Sequence, residues 1–352
     1  MARRVRSTLF SRSIQRTIRA LTRSVVRVGT KAMKKALVPN KPSARPRRAV
    51  TAKVAGPKPA TSRAPPKGVT TGFAGAQHYR LFVPPGARKS QHLPLLVMLH
   101  GCTQTSEAFA LSTRMNHLAA KEGFAVLYPE QNQLANLHGC WNWHQTRSGK
   151  AQTEADAILA TVLHVCQRQS IDPERVALAG LSAGASMAAL LATRHPARFR
   201  AIAMHSGIAP GMAQSLAGAL KAMRGQGLAA PLSALATGKH LPALLVIQGS
   251  ADHLVAPANG LAVAQLWATR EGAMPTPQRT VQRGARHPST LTDYKTKGRL
   301  VATLCAIQGL GHAWSGGAAS QAYSDPKGPD ASRMIWAFAA RQFDKLAPAL
   351  VS

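Results

Sequence analysis

Acidic residues are scarce in this sequence, and nearly its first third has none. There are 13 Asp and Glu against 45 Lys and Arg, and the first acidic residue is Glu107. Residues 1–70 hold 19 of the basic residues, whereas the remainder is only mildly basic. The formal charge of +32 therefore reflects a basic arm on an ordinary body, not a uniformly basic protein.

Cysteines and long apolar runs are also few. The four cysteines form no C-x-x-C pair and no Cys/His cluster with zinc spacing, so we expect no metal site. One disulfide, for example Cys102 with Cys140, is compatible with the sequence but not required by it. No run approaches the ~18 apolar residues of a membrane span, and arginines interrupt the N-terminus where a secretory signal needs ~7–15 apolar residues. We therefore expect a cytoplasmic protein.

The N-terminal segment has the pattern of a basic amphipathic helix. Within residues 12–32, apolar residues recur at steps of four and three, and arginines occupy the opposite face. Such a helix suits an interface that carries negative charge; a helix that docks on its own domain or stays partly disordered is the alternative. We take residues 1–37 as this arm. Residues 38–71, which carry seven prolines, are taken as a disordered linker.

The body, residues 72–352, alternates apolar runs with helical segments. The run at 79–84 is typical of an edge strand, and continuous apolar runs at 95–99, 125–128, 176–179, 201–204, 244–247 and 300–307 are typical of strands buried on both faces. Helical segments are predicted at 106–121, 152–169, 183–194, 259–270 and 332–344. This alternation predicts an α/β fold, with a mostly parallel central sheet covered by helices on both faces.

The strongest chemical signal is Gly180-Leu181-Ser182-Ala183-Gly184, between a predicted buried strand and a predicted helix. A serine on such a strand–turn–helix is a nucleophile elbow, which exposes the hydroxyl at the top of the sheet. Side chains at 180 and 184 would collide with neighbouring backbone, which explains the glycines. A structural Gly-Ser turn is the alternative.

Two later strand ends supply the partners that a serine nucleophile needs. Asp252 follows the run at 244–247, and His312 follows the run at 300–307. The order Ser, Asp, His favours Asp252 as the acid that orients the base His312. Asp156 is a poorer acid candidate because it lies in a predicted helix before the serine, and His253 is expected to face outward.

The proposed chemistry also needs donors for a tetrahedral oxyanion. One should be the backbone N–H of Ala183. The other should come from the loop after 95–99, where Gly101 allows close approach and the Cys102 N–H is the chosen donor. Because water would release the acyl group, no cofactor is required.

Seven segments resemble the polyhydroxybutyrate depolymerase type of esterase, an α/β-hydrolase family that also includes feruloyl and acetyl-xylan esterases. They are LHGCTQT (99–105), YPEQN (128–132), GCWNWH (139–144), IDPERVALAGLSAGASMA (171–188), GSADHLVAPAN (249–259), GLGHAWSGG (309–317) and SDPKGPDAS (324–332). The resemblance implies the α/β-hydrolase fold, with Ser182, Asp252 and His312 as the triad and Cys102 as an oxyanion residue. It also implies that Trp141 or Trp143 lines the substrate groove, although core packing is the alternative for both.

The sequence thus predicts a serine carboxylic ester hydrolase acting on poly- or oligo-(3-hydroxybutyrate) or related short-chain esters. A feruloyl or acetyl-xylan esterase is the alternative within the class. No recognisable secretory signal is present, and little sequence follows 332–344, which argues against extracellular attack on crystalline polymer. An extracellular location, as for secreted members of the family, remains the alternative.

A function of another class is binding of a polyanion or surface through the basic arm. Lysines and arginines bind phosphates with a steep salt dependence. The arm has Phe10 as its only aromatic residue and no base-reading motif, so we expect no specific nucleic acid partner.

Deletion of residues 1–70 tests the role of the arm. If the arm holds the protein on a surface, the deletion should abolish co-sedimentation with anionic vesicles or polyester granules, because the arginine and apolar faces are both lost. Vesicles of neutral lipid serve as the control. Equal sedimentation of the full and shortened chains would contradict the hypothesis.

Overall fold

The computed structural model describes residues 66–88, 90–227, 232–235 and 240–345. The predicted arm and all but the end of the predicted linker lie outside these residues. The folded body begins earlier than residue 72, because β1 (Val69–Ala74) pairs antiparallel with β2 (Gln77–Phe82). That ladder gives the backbone of residues 69–71 its hydrogen bonds, so this end of the predicted linker is strand.

One mixed sheet of eleven strands organises the described residues. Its order is β1-β2-β4-β3-β5-β6-β7-β11-β10-β8, with β9 also paired to β10, and the six strands from β4 to β11 in this order run parallel. The remaining strands are β3 (Leu93–Leu99), β4 (Ala125–Pro129), β5 (Ile171–Leu181), β6 (Ala201–His205), β7 (Ala243–Gly249), β8 (Met274–Pro275), β9 (Arg279–Val281), β10 (Ser289–Thr296) and β11 (Arg299–Ile307). A separate parallel pair joins β12 (Trp314–Ser315) to β13 (Ser324–Asp325).

The described α-helices are α1 (Ser106–Thr113), α2 (Met115–Glu122), α3 (Lys150–Arg168), α4 (Ala183–Arg194), α5 (Leu216–Met223), α6 (Ala258–Glu271) and α7 (Ala331–Asp344). The prediction of one helix over 106–121 was wrong. Arg114 adopts a left-handed conformation with φ 53° and separates α1 from α2. Its guanidinium donates to the carbonyl of Gly316 at 2.6 Å, a contact between distant segments that local sequence does not reveal.

The core lies on both faces of the sheet, as the apolar runs predicted. In β3, Leu95, Val97 and Leu99 pack on one face, with the apolar residues of α3, α4 and α6. Leu96 and Met98 pack on the other face, with α1, α2 and α7. All five side chains are fully buried, which is why the strand is apolar throughout instead of alternating.

The parallel strands place their carboxyl ends along one edge of the sheet. β5, β6, β7 and β11 are consecutive neighbours there, so the segments that follow them are brought together. The segment predicted as an edge strand, 79–84, forms β2 and is covered by β1, so β1 is the edge instead. None of the helices that the structure describes has both the length and the apolar character needed to cross a bilayer.

Candidate active site

Ser182 lies in a sharp turn between β5 and α4. Its backbone has φ 56° and ψ −119°, which a non-glycine residue adopts only under strain. A Cβ added to Gly180 would lie 2.4 Å from the carbonyl carbon of Gly184, and one added to Gly184 would lie 2.1 Å from the carbonyl oxygen of Leu99. Both glycines are therefore required sterically, as the sequence predicted.

Backbone bonds hold this turn against the neighbouring strand. The Ser182 N–H donates to the carbonyl of His205, at the end of β6, at 2.9 Å. Ser186, one turn into α4, donates its hydroxyl to the Ser182 carbonyl at 3.3 Å and accepts the N–H of Ile208 at 2.8 Å. The Ser182 side chain is partly buried, and hydrogen bonds to β6 and within α4 hold the backbone that carries it.

Asp252 and His312, which are 60 residues apart in sequence, are in direct contact. His312 Nδ1 lies 2.8 Å from Asp252 Oδ2, and the carboxylate is fully buried. Burial would by itself raise the pKa of Asp252, but the hydrogen bonds and charge of His312, with bonds from Val255 N–H and Ser206, hold it below its ordinary value. The carboxylate is therefore ionised near neutral pH and can only accept, so His312 Nδ1 carries the proton and Nε2 has a free lone pair.

The loops that carry Asp252 and His312 are joined by a short network. The N–H groups of Ser250 and Ala251 donate to the carbonyls of Ile307 and Leu310 at 2.9 and 3.0 Å, and Ser250 Oγ accepts the N–H of Gly309 at 2.9 Å. The network fixes the separation of the two loops, and so the Asp–His distance, through backbone atoms.

The loop after β3 lies beside the serine turn. A Cβ on Gly101 would be 3.7 Å from the Cβ of Ser182, so this glycine does permit a close approach. The Gly101 N–H donates to Gln104 Oε1 at 3.0 Å, and its carbonyl accepts from His100 Nδ1 at 2.9 Å. His100 Nε2 accepts the Gln131 N–H at 3.1 Å, which fixes the neutral tautomer, and burial lowers the pKa of His100. The loop is thus held by a buried, uncharged histidine.

A disulfide between Cys102 and Cys140 ties this loop to the segment after β4, with a Cα–Cα distance of 4.2 Å. The Thr103 N–H also donates to the His138 carbonyl at 2.8 Å. Within the described part of the chain, the N–H groups of Cys102 and Ala183 donate to no other residue. Both are therefore available to an oxygen atom placed near Ser182.

The two predicted groove residues are largely enclosed. Trp141 is completely buried in the core and packs against the ring of His100, at a centroid distance of 5.5 Å. This is the packing role that the sequence left open for it. Trp143 has 9% of its surface exposed, and a substrate contact there stays a prediction.

The rival residues lie elsewhere. Asp156 pairs with Arg194 and His195 on the surface of α3 and α4, and His253 is exposed. Over the described residues, no group of three or more His, Cys, Asp or Glu side chains is arranged to hold a metal ion.

Three residues around Asp252 were not predicted from the sequence. Gln248 Nε2 lies 3.3 Å from Asp252 Oδ2, and Ser206 contributes to the lowered pKa of that carboxylate. His205 contacts Ser206. The available signal was that the apolar runs at 201–204 and 244–247 are each followed by a polar residue, His205 and Gln248. A buried strand that ends in a polar residue places it at the ligand-binding end of a parallel sheet.

A strained serine between a buried strand and a helix, at the carboxyl edge of a mostly parallel sheet, defines an α/β hydrolase. A solved acetyl xylan esterase from Aspergillus awamori has the same fold, with a TM-score of 0.58 and 20% identity over 69% of this chain and 93% of that one. The family described as esterase PHB depolymerase matches residues 77–276. The chain belongs to this family, and the resemblance drawn from its motifs is confirmed.

Curated relatives carry more than one activity name. Poly(3-hydroxyalkanoate) depolymerase C of Paucimonas lemoignei is 34% identical over 193 residues, which is 52% of this chain and 46% of that protein. Feruloyl esterase B of Neurospora crassa is 31% identical over 117 residues, which is 33% of this chain and 39% of that protein. The chain therefore matches half or less of the length of these two relatives.

Removal of the disulfide should destabilise the protein. The cross-link joins residues 38 apart, and loss of its constraint on the unfolded chain corresponds to about 4 kcal/mol. We expect the Cys102→Ser/Cys140→Ser variant to unfold at clearly lower urea concentration, measured by tryptophan fluorescence. The control is Cys166→Ser, which removes a free, half-buried thiol. A double variant with the wild-type free energy of unfolding would contradict the prediction.

Proposed function

We propose that the protein is a serine carboxylic ester hydrolase that works through an acyl-enzyme. The observation that carries the proposal is the buried Asp252–His312 pair, 2.8 Å apart, at the sheet edge that also presents the strained turn of Ser182. Nucleophile, base and orienting acid follow three strands of one parallel array, which supports their action on a common substrate.

In the proposed reaction, the Ser182 hydroxyl attacks the ester carbonyl while His312 Nε2 takes its proton. Asp252 keeps the Nδ1–H tautomer and stabilises the imidazolium as it forms. The imidazolium then protonates the leaving alcohol. A water molecule, activated by the same nitrogen, attacks the acyl-enzyme and frees Ser182.

The oxyanion of each tetrahedral intermediate would be held by the N–H groups of Cys102 and Ala183. Each such donor is worth roughly 3 kcal/mol of transition-state stabilisation when it is fixed in advance. The Gln104 and His100 bonds to Gly101, the disulfide, and the start of α4 supply that fixation. Ala183 also begins α4, so the helix dipole favours negative charge there.

We propose poly- or oligo-(3-hydroxybutyrate) or related short-chain esters as the substrate. The family and the depolymerase relative support this choice. Feruloyl or acetylated xylan esters are the second candidate, favoured by the feruloyl esterase relative and by acetylxylan esterase A of Aspergillus clavatus, named as probable and 26% identical. Trp143 is proposed to line the acyl side of the site.

The disulfide bears on where the protein works. Disulfides persist in oxidising compartments and are rare in the cytosol. Cys102–Cys140 therefore supports the extracellular alternative and gives no support to the predicted cytoplasmic location. Binding to a granule or anionic surface through residues 1–37 remains a proposal that falls outside the described residues.

Replacement of the nucleophile tests the proposed function. Ser182→Ala should lower kcat for p-nitrophenyl butyrate by about three orders of magnitude or more, because no acyl-enzyme can form. Circular dichroism and urea unfolding check that the fold is kept. Ser148→Ala, at an exposed serine that only bonds a loop carbonyl, is the matched control. Turnover retained in Ser182→Ala would show that the nucleophile is misassigned.

A substrate panel separates the two candidate substrate classes. The wild-type protein should release soluble acid from amorphous polyhydroxybutyrate and from 3-hydroxybutyrate oligomers with higher kcat/KM than it hydrolyses methyl ferulate or acetylated xylan. Ser182→Ala measured on each substrate gives the background. A clear preference for ferulate or acetyl esters would replace the polyester assignment without affecting the esterase assignment.

A further inference from the structure

Two leucines outside the proposed triad are almost completely exposed. Leu134 has 94% and Leu137 has 90% of its surface exposed, more than any other large apolar residue that the structure describes. Both lie between β4 and α3, in the segment 131–140, which we call the rim loop. Single exposed leucines are common on protein surfaces, but two with so much exposed surface in one short loop indicate an interaction surface.

Hydrogen bonds of asparagine side chains stabilise the rim loop. Asn132 Oδ1 accepts the N–H of Leu134 at 2.8 Å, and Asn136 Oδ1 accepts that of His138 at 3.0 Å. The side-chain amide of Asn136 also donates to Asn142 Oδ1 at 3.0 Å. Such bonds fix the local backbone in turns. The exposure of both leucines therefore follows from the structure of the loop itself.

The rim loop is joined to the proposed catalytic site. The disulfide connects Cys140, at the end of the rim loop, to Cys102, whose N–H is the proposed oxyanion donor. Close to this cross-link, the carbonyl of His138 accepts the N–H of Thr103 at 2.8 Å. Because the loop that carries Cys102 lies beside the serine turn, the exposed leucines belong to the surroundings of the site and not to a remote surface.

The segment around these leucines has no formal charge. Residues 131–146 contain no Lys, Arg, Asp or Glu, although the whole chain has a net charge of +32. Lys150, which follows this segment, is only partly exposed and donates to a backbone carbonyl of the rim loop at 2.6 Å. An anionic lipid surface is bound through clusters of Lys and Arg, so the rim loop does not suit one.

The exposed side chains of the rim loop match an uncharged ester polymer. Asn132 and Gln133 are exposed beside Leu134, and their carboxamide groups can donate hydrogen bonds to carbonyl oxygens. A polyester of hydroxy acids presents apolar groups to leucine and ester carbonyls, which only accept, to these amides. A carbohydrate surface is also uncharged, but its hydroxyl groups would lose their hydration against leucine.

We propose that the rim loop docks the enzyme on the surface of an insoluble, uncharged polyester, with Leu134 and Leu137 buried against the polymer. The inference rests on the proposed function, because it names the physical form of the substrate for the same site. Docking through the rim loop holds the polymer beside the proposed oxyanion donor and Ser182. It is separate from the hypothesis for the basic arm, which concerns a charged surface.

Co-sedimentation with protein-free particles of amorphous polyhydroxybutyrate tests the docking. The full-length chain is used with Ser182→Ala, so that the particles are not consumed, and in about 1 M NaCl, where charges are screened beyond ~3 Å and attraction through the arm is suppressed. Adding Leu134→Ser/Leu137→Ser should weaken particle binding by about tenfold or more, because two leucines are no longer buried. Urea unfolding checks that the fold is kept.

Phe73→Ser/Met274→Ser is the matched control. These side chains are 66% and 72% exposed, and they lie in β1 and β8, at the two ends of the sheet and away from the central strands that carry the site. The control removes a similar amount of exposed apolar surface, so it should bind the particles as tightly as the parent. Equal binding by the leucine variant and the control would overturn the inference.

Turnover with Ser182 restored gives a second measurement. The ratio of acid release from limiting particles to hydrolysis of soluble p-nitrophenyl butyrate should fall by about tenfold in the leucine variant and stay unchanged in the control. An unchanged ratio in the leucine variant would contradict the docking. Tighter binding to insoluble acetylated xylan than to the polyester would also overturn it.

A second copy of the chain is the other possible occupant. If sedimentation equilibrium showed a dimeric wild type that Leu134→Ser/Leu137→Ser makes monomeric, the leucines would cover one another and the inference would be wrong. Failure of the proposed function looks different: the wild type would hydrolyse neither the soluble ester nor the particles, whereas particle binding is measured without turnover.

Discussion

The buried carboxylate of Asp252 is the constraint on which the rest of the site depends. An ionised carboxylate removed from water is tolerated only when its oxygens are fully hydrogen-bonded. Oδ1 accepts the N–H groups of Leu254 and Val255, and Oδ2 accepts from His312 and Gln248. These donors belong to the acid's own loop, to β7 and to the segment after β11. If any of these segments shifted, a hydrogen bond to the carboxylate would be lost and its buried charge would be less well compensated. The geometry proposed for catalysis and the local stability therefore depend on the same hydrogen bonds.

The strands were predictable because burial on both faces leaves a continuous apolar run, as in β3. Two failures have a common physical cause. The break between α1 and α2 depends on Arg114, which has no glycine or proline beside it and is held by Gly316, about two hundred residues away. β10 was missed because its sequence is largely polar; its pairing with β11 and the bonds of Asp293 to Arg279 and Thr303 stabilise it. Neither the Arg114–Gly316 contact nor the cross-strand bonds of β10 can be predicted from the sequence pattern of the segment itself.

The three predicted site residues each follow a strand and each carry a side chain whose chemistry is distinctive in sequence. His205 and Gln248 also lie at strand ends, but a lone histidine or glutamine there has many uses. Their roles depend on which atoms the fold places 3 Å away. Trp141 shows the opposite case: its motif drew attention to the substrate, whereas its burial assigns it to the packing behind His100. The sequence therefore predicted the groups that we propose to react, whereas the structure was needed to find the neighbouring groups that hold them in place.

The loop proposed to hold the oxyanion, on the opposite side of the serine, must be fixed in the same way. Backbone donors stabilise a developing charge only if no rearrangement is needed when it forms. On one side, α4 fixes the Ala183 N–H. On the other, the Cys102 N–H depends on a short loop, which is held by the neutral His100, by Gln104 and by the disulfide. Since disulfides are rare in reducing compartments, the proposed preorganisation of this loop favours an oxidising compartment. Reduction of Cys102–Cys140 should loosen the loop that carries the proposed oxyanion donor, whereas none of the hydrogen bonds to Asp252 comes from that loop.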